Sequence, residues 1–386
     1  MSNTFNPQIV DLDTADPAQV ICYLTTSGNE YNGHLGARIS ALFVILIVST
    51  AATFFPVLAV RIRWLKIPTY VYLFARYFGA GVIVATAFIH LLDPAYSEIG
   101  PQTCVGMSKG WNSYSWPPAI VLVSVMAIFL LDFAAERYVE IKYGSAHTDV
   151  ALEDLIIKRS TDQNDNTMNQ ATNYHSSHQY LHSGDQNDRI TTIFPDTIKQ
   201  STDDKVMSKG TEVEPHISLA EERSFRQQIS AFLILEFGVI VHSVIIGLNL
   251  GVAGPEFSTL YPVIVFHQSF EGLGIGARMS AIPFPERLGW MPWALCTAYG
   301  LTTPIAIAIG LGLRTTYTSG SFTANIVSGV LDSISAGILI YTGLVELLAR
   351  DFLFNPERTR DNKRLTFMLI CLFAGAGLMA LLGKWA

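Results

Sequence analysis

The chain has 386 residues; half are hydrophobic, only 15% are charged, and the net charge is −7. Soluble domains carry about 25% charged residues, so the composition excludes a soluble globular protein and indicates a polytopic membrane protein. The net charge adds little, because a membrane protein sorts its charge by side rather than summing it.

Residues 1–38 form a polar, mildly acidic extracellular segment with Asp11, Asp13, Asp16, Glu30 and His34. It lacks the apolar core of a signal peptide and reads as a solvated tail rather than a metal collector. Eight apolar segments follow, near 39–60, 71–92, 118–138, 229–253, 259–281, 290–313, 324–349 and 365–385. A bilayer crossing takes about 20 residues. The six tryptophans, Trp64, Trp111, Trp116, Trp290, Trp293 and Trp385, fall at or just beyond segment ends, as an interfacial belt requires. The expected fold is therefore an all-α integral membrane bundle of eight transmembrane helices. Residues 39–140 carry helices one to three and 229–386 carry helices four to eight.

Lysine and arginine set the orientation. Arg61, Arg63 and Lys66 lie in the first loop, Arg278 and Arg287 in the fifth, and Arg350, Arg358, Arg360, Lys363 and Arg364 in the seventh. The even loops carry only Lys109 and Arg314. The odd loops are therefore expected in the cytosol and both termini outside. The third loop, 141–228, is rich in Asp, Asn, Gln, Ser and Thr, a composition expected to stay disordered. It holds five of the nine histidines, and His175, His178 and His182 within it are a candidate low-affinity metal sensor or buffer. Of the four cysteines, Cys296 and Cys371 read as core residues. Cys22 and Cys104 fall in outer loops, where they are either a disulfide or two unrelated thiols.

The chemistry concentrates in segments four and five. His242, Ser243 and Asn249 interrupt Phe232–Gly254, and His267, Gln268 and Glu271 interrupt Thr259–Ala281. An ionisable group at mid-membrane costs at least about 2.5 kcal/mol on insertion scales, so it faces a cavity or a partner. Residues four apart share a helix face, which stacks His267 over Glu271. A short connection makes the two helices antiparallel neighbours and brings His242 to the same depth. Two imidazoles and a carboxylate suit a divalent transition metal rather than Mg²⁺ or Ca²⁺, which take only oxygens. Ser243 and Gln268 add weak oxygen donors, and such a mixed site can release what it binds. Gly247 with Gly251, and Gly272 with Gly276, have the spacing that lets helix backbones approach, as two helices sharing one ion must.

His242-Ser-Val-Ile-Ile-Gly247, followed by His267-Gln-Ser-Phe-Glu271-Gly272, resembles the signature of the ZIP family of divalent-metal transporters, and the resemblance covers nearly the whole chain. Gly81 to Asp93, with His90 in it, is similar to the plant and fungal plasma-membrane branch. The resemblance implies uptake of Zn²⁺ from outside into the cytosol across the plasma membrane, by alternating access around a fixed site. It implies that His242, His267 and Glu271 form the primary metal site and that Ser243 and Gln268 match an adjacent one. His90 and Asp93 would mark metal entry and Asn249 would extend the path. Ile246, Gln268 and Thr303 stand where two-metal members carry acidic ligands, so one principal metal is expected. By the same resemblance the first, fourth, fifth and sixth helices move against the rest. The zinc is substrate rather than cofactor, and no cofactor is expected. The expected partners are the metal ion and the lipid bilayer; a homodimer is a candidate assembly, and no nucleic acid is expected. Fe²⁺ uptake is the first alternative. An intramembrane zinc hydrolase and a metal-sensing receptor are rivals of other classes: the first needs a closed site and a substrate pocket, the second a folded cytosolic domain.

Overall fold

The computed structural model describes residues 15–25, 31–62, 68–143, 219–316, 318, 320–354, 359 and 361–385. His175, His178, His182, Trp64 and the stretch 144–218 of the expected third loop lie outside these residues. The described residues form helices joined by turns and short extended stretches, with no strand among them. Two short helices, α1 (Pro17–Thr25) and α5 (Cys104–Met107), are tied by a disulfide between Cys22 and Cys104.

Seven helices are long and apolar enough to cross a membrane. They begin with α2 (Leu35–Arg61) and with α3 (Thr69–Ala85), which runs through π-helical turns at Thr86–Leu92 into α4 (Asp93–Ile99). Next come α6 (Trp116–Tyr143) and α7 (Leu219–Val252). Beyond α8 (Phe257–Ala281) follow α9 (Met291–Leu313), α10 (Phe322–Tyr341), whose end unwinds into π turns over Thr342–Phe354, and α11 (Asn362–Leu382). The remaining long helix, α8 (Phe257–Ala281), is not among the seven. The reason is physical: His267, Gln268 and Glu271 occupy its middle and interrupt the apolar run that the other seven keep. α7 begins at Leu219, ten residues before its expected apolar start at 229. Arg278 and Arg350, read above as loop residues, lie inside α8 and the second π segment.

Phe43 and Ile47 of α2, Leu122, Val123, Phe129 and Leu130 of α6, and Ile370 and Phe373 of α11 are exposed. Large apolar side chains facing outward on several helices are what a lipid solvent permits and water does not. Inside, small residues replace them. A Cβ on Gly79 of α3 would lie 2.1 Å from the Gly274 Cα of α8, so these two backbones touch.

The glycine pairs of α7 and α8 do not bring those two helices together, contrary to the expectation from their spacing. Gly247 and Gly251 meet Thr303, Ala306 and Gly310 of α9, while Gly272 and Gly276 meet Thr53 of α2. α7 therefore lies chiefly against α9 and α10, and α8 against α2 and α3. The facing sides of α7 and α8 keep full side chains, His242 and Ser243 on one, His267 and Gln268 on the other.

Arg38, at the start of α2, has no exposed surface. Its guanidinium donates to the carbonyls of Leu250, Gly251 and Ala253, and to Asn32 Oδ1 at 2.9 Å. A cation at a helix C-terminus satisfies carbonyls that have no partner within the helix. One side chain thus fixes the top of α7 against α2.

Candidate metal centre

His267 and Glu271 stand one turn apart on α8, with Nε2 3.3 Å from Oε1. α7 supplies His242 opposite, its ring centroid 5.4 Å from that of His267. One ligand atom from each of the three lies within 4.8 Å of the others. All are sealed from solvent: His242 is 1% exposed, His267 2% and Glu271 0%. Apart from the 3.3 Å contact between His267 Nε2 and Glu271 Oε1, both nitrogens of His242, Nε2 of His267 and both oxygens of Glu271 have no hydrogen-bond partner. An unsatisfied buried polar atom costs about 1–3 kcal/mol. One such atom from each residue, gathered within 4.8 Å of the others, is an arrangement that could hold a cation, each imidazole offering one lone pair and the carboxylate an oxygen. Around tetrahedral zinc, with bonds near 2.1 Å, donors sit roughly 3.4 Å apart. His267 Nε2 and Glu271 Oε1 already stand at about that separation, 3.3 Å, so His242 is the ligand that has to close in.

A second bundle face completes the surroundings. The π turns after α3 carry His90, whose ring packs edge-on against His267 at 4.9 Å. Its Nε2 lies 3.1 Å from the Met379 carbonyl of α11. A carbonyl only accepts, so Nε2 holds the proton and Nδ1 keeps the lone pair. Thr86, one turn earlier, is buried within interaction range of Glu271, and its hydroxyl is unpartnered. π turns occur often at functional sites, and here they bring Thr86 and His90 to the trio.

Ser243 and Gln268 are adjacent to the trio but already occupied. The Gln268 amide lies 3.5 Å from Ser243 Oγ, and its Oε1 accepts from the Tyr299 hydroxyl at 3.0 Å. Tyr299 is also 3.1 Å from the Gln268 backbone carbonyl. This network ties α7, α8 and α9 behind the ligands. Asn249 is half-buried and lines a separate cavity of about 310 Å³ between α7 and α10, with Ser321 and Ser328. Asp93 is exposed at the start of α4. The structure thus gathers His242, His267, Glu271, Ser243, Gln268 and His90, and leaves Asn249 and Asp93 apart from them.

Glu346, which has no partner recognisable in the sequence, forms an ion pair with Arg350, while Arg278 donates to its backbone carbonyl at 3.1 Å. Arg76 and Asp351 pair beside them at 2.9 Å, in the wall of a polar cavity of about 620 Å³. Sequence reasoning did not single out Thr86 or Tyr299. Tyr299 sits in an otherwise apolar segment and gives no polar cluster to notice, and Thr86 becomes relevant only through packing.

The sequence profile of the ZIP Zinc transporter family matches residues 35–383. Zinc-regulated transporter 1 of Saccharomyces cerevisiae is 55% identical over 364 residues, covering 93% of this chain and 90% of that protein. Zinc-regulated transporter 1 of Schizosaccharomyces pombe is 41% identical over 398 residues, 100% of this chain and 94% of the relative. Zinc transporter 9 of Oryza sativa subsp. japonica is 31% identical, with 96% and 95% covered. No solved structure matches the chain.

Proposed function

The chain belongs to the ZIP zinc transporter family, and from that we propose that it takes up Zn²⁺ across the plasma membrane into the cytosol through the site formed by His242, His267 and Glu271. The observation that carries the assignment to these residues is the approach of three sealed side chains within 4.8 Å whose donor atoms meet one another and form no hydrogen bond. The zinc is cargo, not a cofactor, and the protein is a transporter rather than an enzyme.

In this reading α8 is the eighth membrane span, both termini lie outside, and the stretch between α6 and α7 lies in the cytosol. Two packing groups support alternating access. α2 packs with α8 and α9, and α9 with α7; α3 packs with α11, and α10 with α6, while α3 against α8 and α10 against α7 join the two sets. The ligands ride on the first group and His90 belongs to the second. The Gly79–Gly274 contact crosses the boundary as bare backbone, a surface with no side chain to unlock. Metal would enter past Asp93 and His90, His90 Nδ1 offering the first imidazole. It would then bind the trio, with Ser243 and Gln268 holding the ligands in register through Tyr299. Protons compete with metal for the same lone pairs, which favours release wherever histidine and carboxylate protonate. His175, His178 and His182 remain candidate cytosolic metal contacts, and a homodimer remains the candidate assembly.

The test is uptake of radioactive zinc by the full-length protein in sealed vesicles, with Fe²⁺ as competitor. Saturable Zn²⁺ uptake that excess Fe²⁺ leaves largely intact is expected. Efficient displacement by Fe²⁺ would make iron the cargo, and metal binding without uptake would overturn transport.

A further inference from the structure

Among the described residues, two carboxylates have both oxygens buried and without a hydrogen-bond partner. One is Glu271, in the trio. The other is Glu236, 2% exposed, on α7 six residues before His242. Six residues of helix place it about 9 Å from His242 along the axis, toward the N-terminal end of α7. Across from it, on α9, Cys296 and Tyr299 lie within its electrostatic range. Phe232, Leu235 and Val239 of α7 and Met279 of α8 belong to the apolar cluster that fills this part of the bundle, as do Cys296 and Tyr299 themselves.

A carboxylate in such a place is expensive. Burying a polar group without a partner costs several kcal/mol, and a well-packed apolar residue of similar volume is often neutral or better. Stability does not explain Glu236, and no cation among the described residues pairs with it. In the apolar cluster across from it, and within its electrostatic range, lies a group of a telling kind: the Cys296 thiol, wholly buried, with a long contact to the Thr53 carbonyl at 4.0 Å. Carboxylate oxygen and sulfur are both zinc donors.

We propose that Glu236 is a second stopping point for the divalent cation, on the release side of the trio, with the Cys296 thiol as a soft donor beside it. This rests on the transport reading above. The apolar cluster closes that stretch here, so Glu236 is bare. When the cluster parts, the ion leaving His242, His267 and Glu271 meets a carboxylate one step further along α7. A site of one carboxylate and one thiol binds more weakly than the trio, as a release step requires.

The experiment compares wild type, Glu236→Gln, Glu236→Leu, Glu236→Asp and His267→Ala in the full-length protein. Zinc uptake is measured in liposomes, and equilibrium zinc binding and thermal stability in detergent. Glu236→Gln and Glu236→Leu are expected to lose uptake rate by about tenfold or more, the scale of losing a metal contact. They keep zinc binding at the trio and melt no lower than wild type. Glu236→Asp recovers part of the rate. Uptake within about twofold of wild type in Glu236→Gln, on the same scale, overturns the proposal while the trio stands. So does a loss seen only under an imposed pH gradient, which would make Glu236 a proton acceptor. A failure of the transport reading itself shows differently: His267→Ala then transports like wild type, or wild type does not transport at all.

Discussion

Glu271 carries the only negative charge in the trio, so its charge and its shape can be separated. Glu271→Gln keeps the volume and one oxygen but removes the charge that balances a divalent ion. Loss of a mere supporting contact costs about 10–100-fold in metal affinity or activity; zinc binding in Glu271→Gln is expected to fall by at least about 100-fold by calorimetry. Retained tight binding would place the ion elsewhere. Tyr299 has the opposite role. Its hydroxyl bonds both the backbone and the side chain of Gln268 and is hydrogen-bonded to none of His242, His267 and Glu271. Tyr299→Phe leaves buried acceptors unsatisfied, at about 1–3 kcal/mol. The variant is expected to melt lower and to transport with a raised KM, yet still to bind zinc. The trio is readable in the sequence because polar side chains stand out in apolar stretches and because His267 and Glu271 are one turn apart. His90 and Thr86 reach the same place by packing of a distant helix, and no spacing announces it.

At the scale of elements, the polar cargo of α8 makes it read as the weakest membrane span, while its partners hold it in place. The site helices are set by neighbours other than each other. Gly247 and Gly251 lock α7 to α9, and Gly274 lets α8 touch α3. The small-residue spacing is visible in the sequence; which helix each face meets is not, because GxxxG-type surfaces carry no address. Gly79→Val is expected to drive α3 from α8, seen as lost surface expression or a lower melting temperature, whereas Gly377→Val, which meets nothing within 4 Å, is expected to be silent. Arg38 is a second case. In sequence it is a charge at a helix end; in the structure it is fully buried and caps α7. Lysine cannot reproduce its planar fork. Arg38→Lys is expected to destabilise by about 2–3 kcal/mol, the scale of lost charged hydrogen bonds, measured as a drop in thermal stability. No drop would mean that α7 ends without it.

Over the whole molecule, hydropathy and tryptophan placement located the helical segments, and seven of them satisfy the length and apolarity of a membrane crossing. The π segments at Thr86–Leu92 and Thr342–Phe354 were not readable, since an altered backbone ladder leaves no periodic mark over so few residues. The disulfide between Cys22 and Cys104 closes a separation of 82 residues outside the bundle. Cys22→Ser is expected to cost about 2–4 kcal/mol without touching zinc affinity, by the same thermal assay. All these parts converge on one claim, that cargo passes through His242, His267 and Glu271. The measurement that tests it most directly is zinc uptake by His267→Ala against wild type at matched surface abundance. Saturable uptake in wild type and its collapse in the variant are expected; uptake that survives the substitution unchanged would contradict passage through these residues.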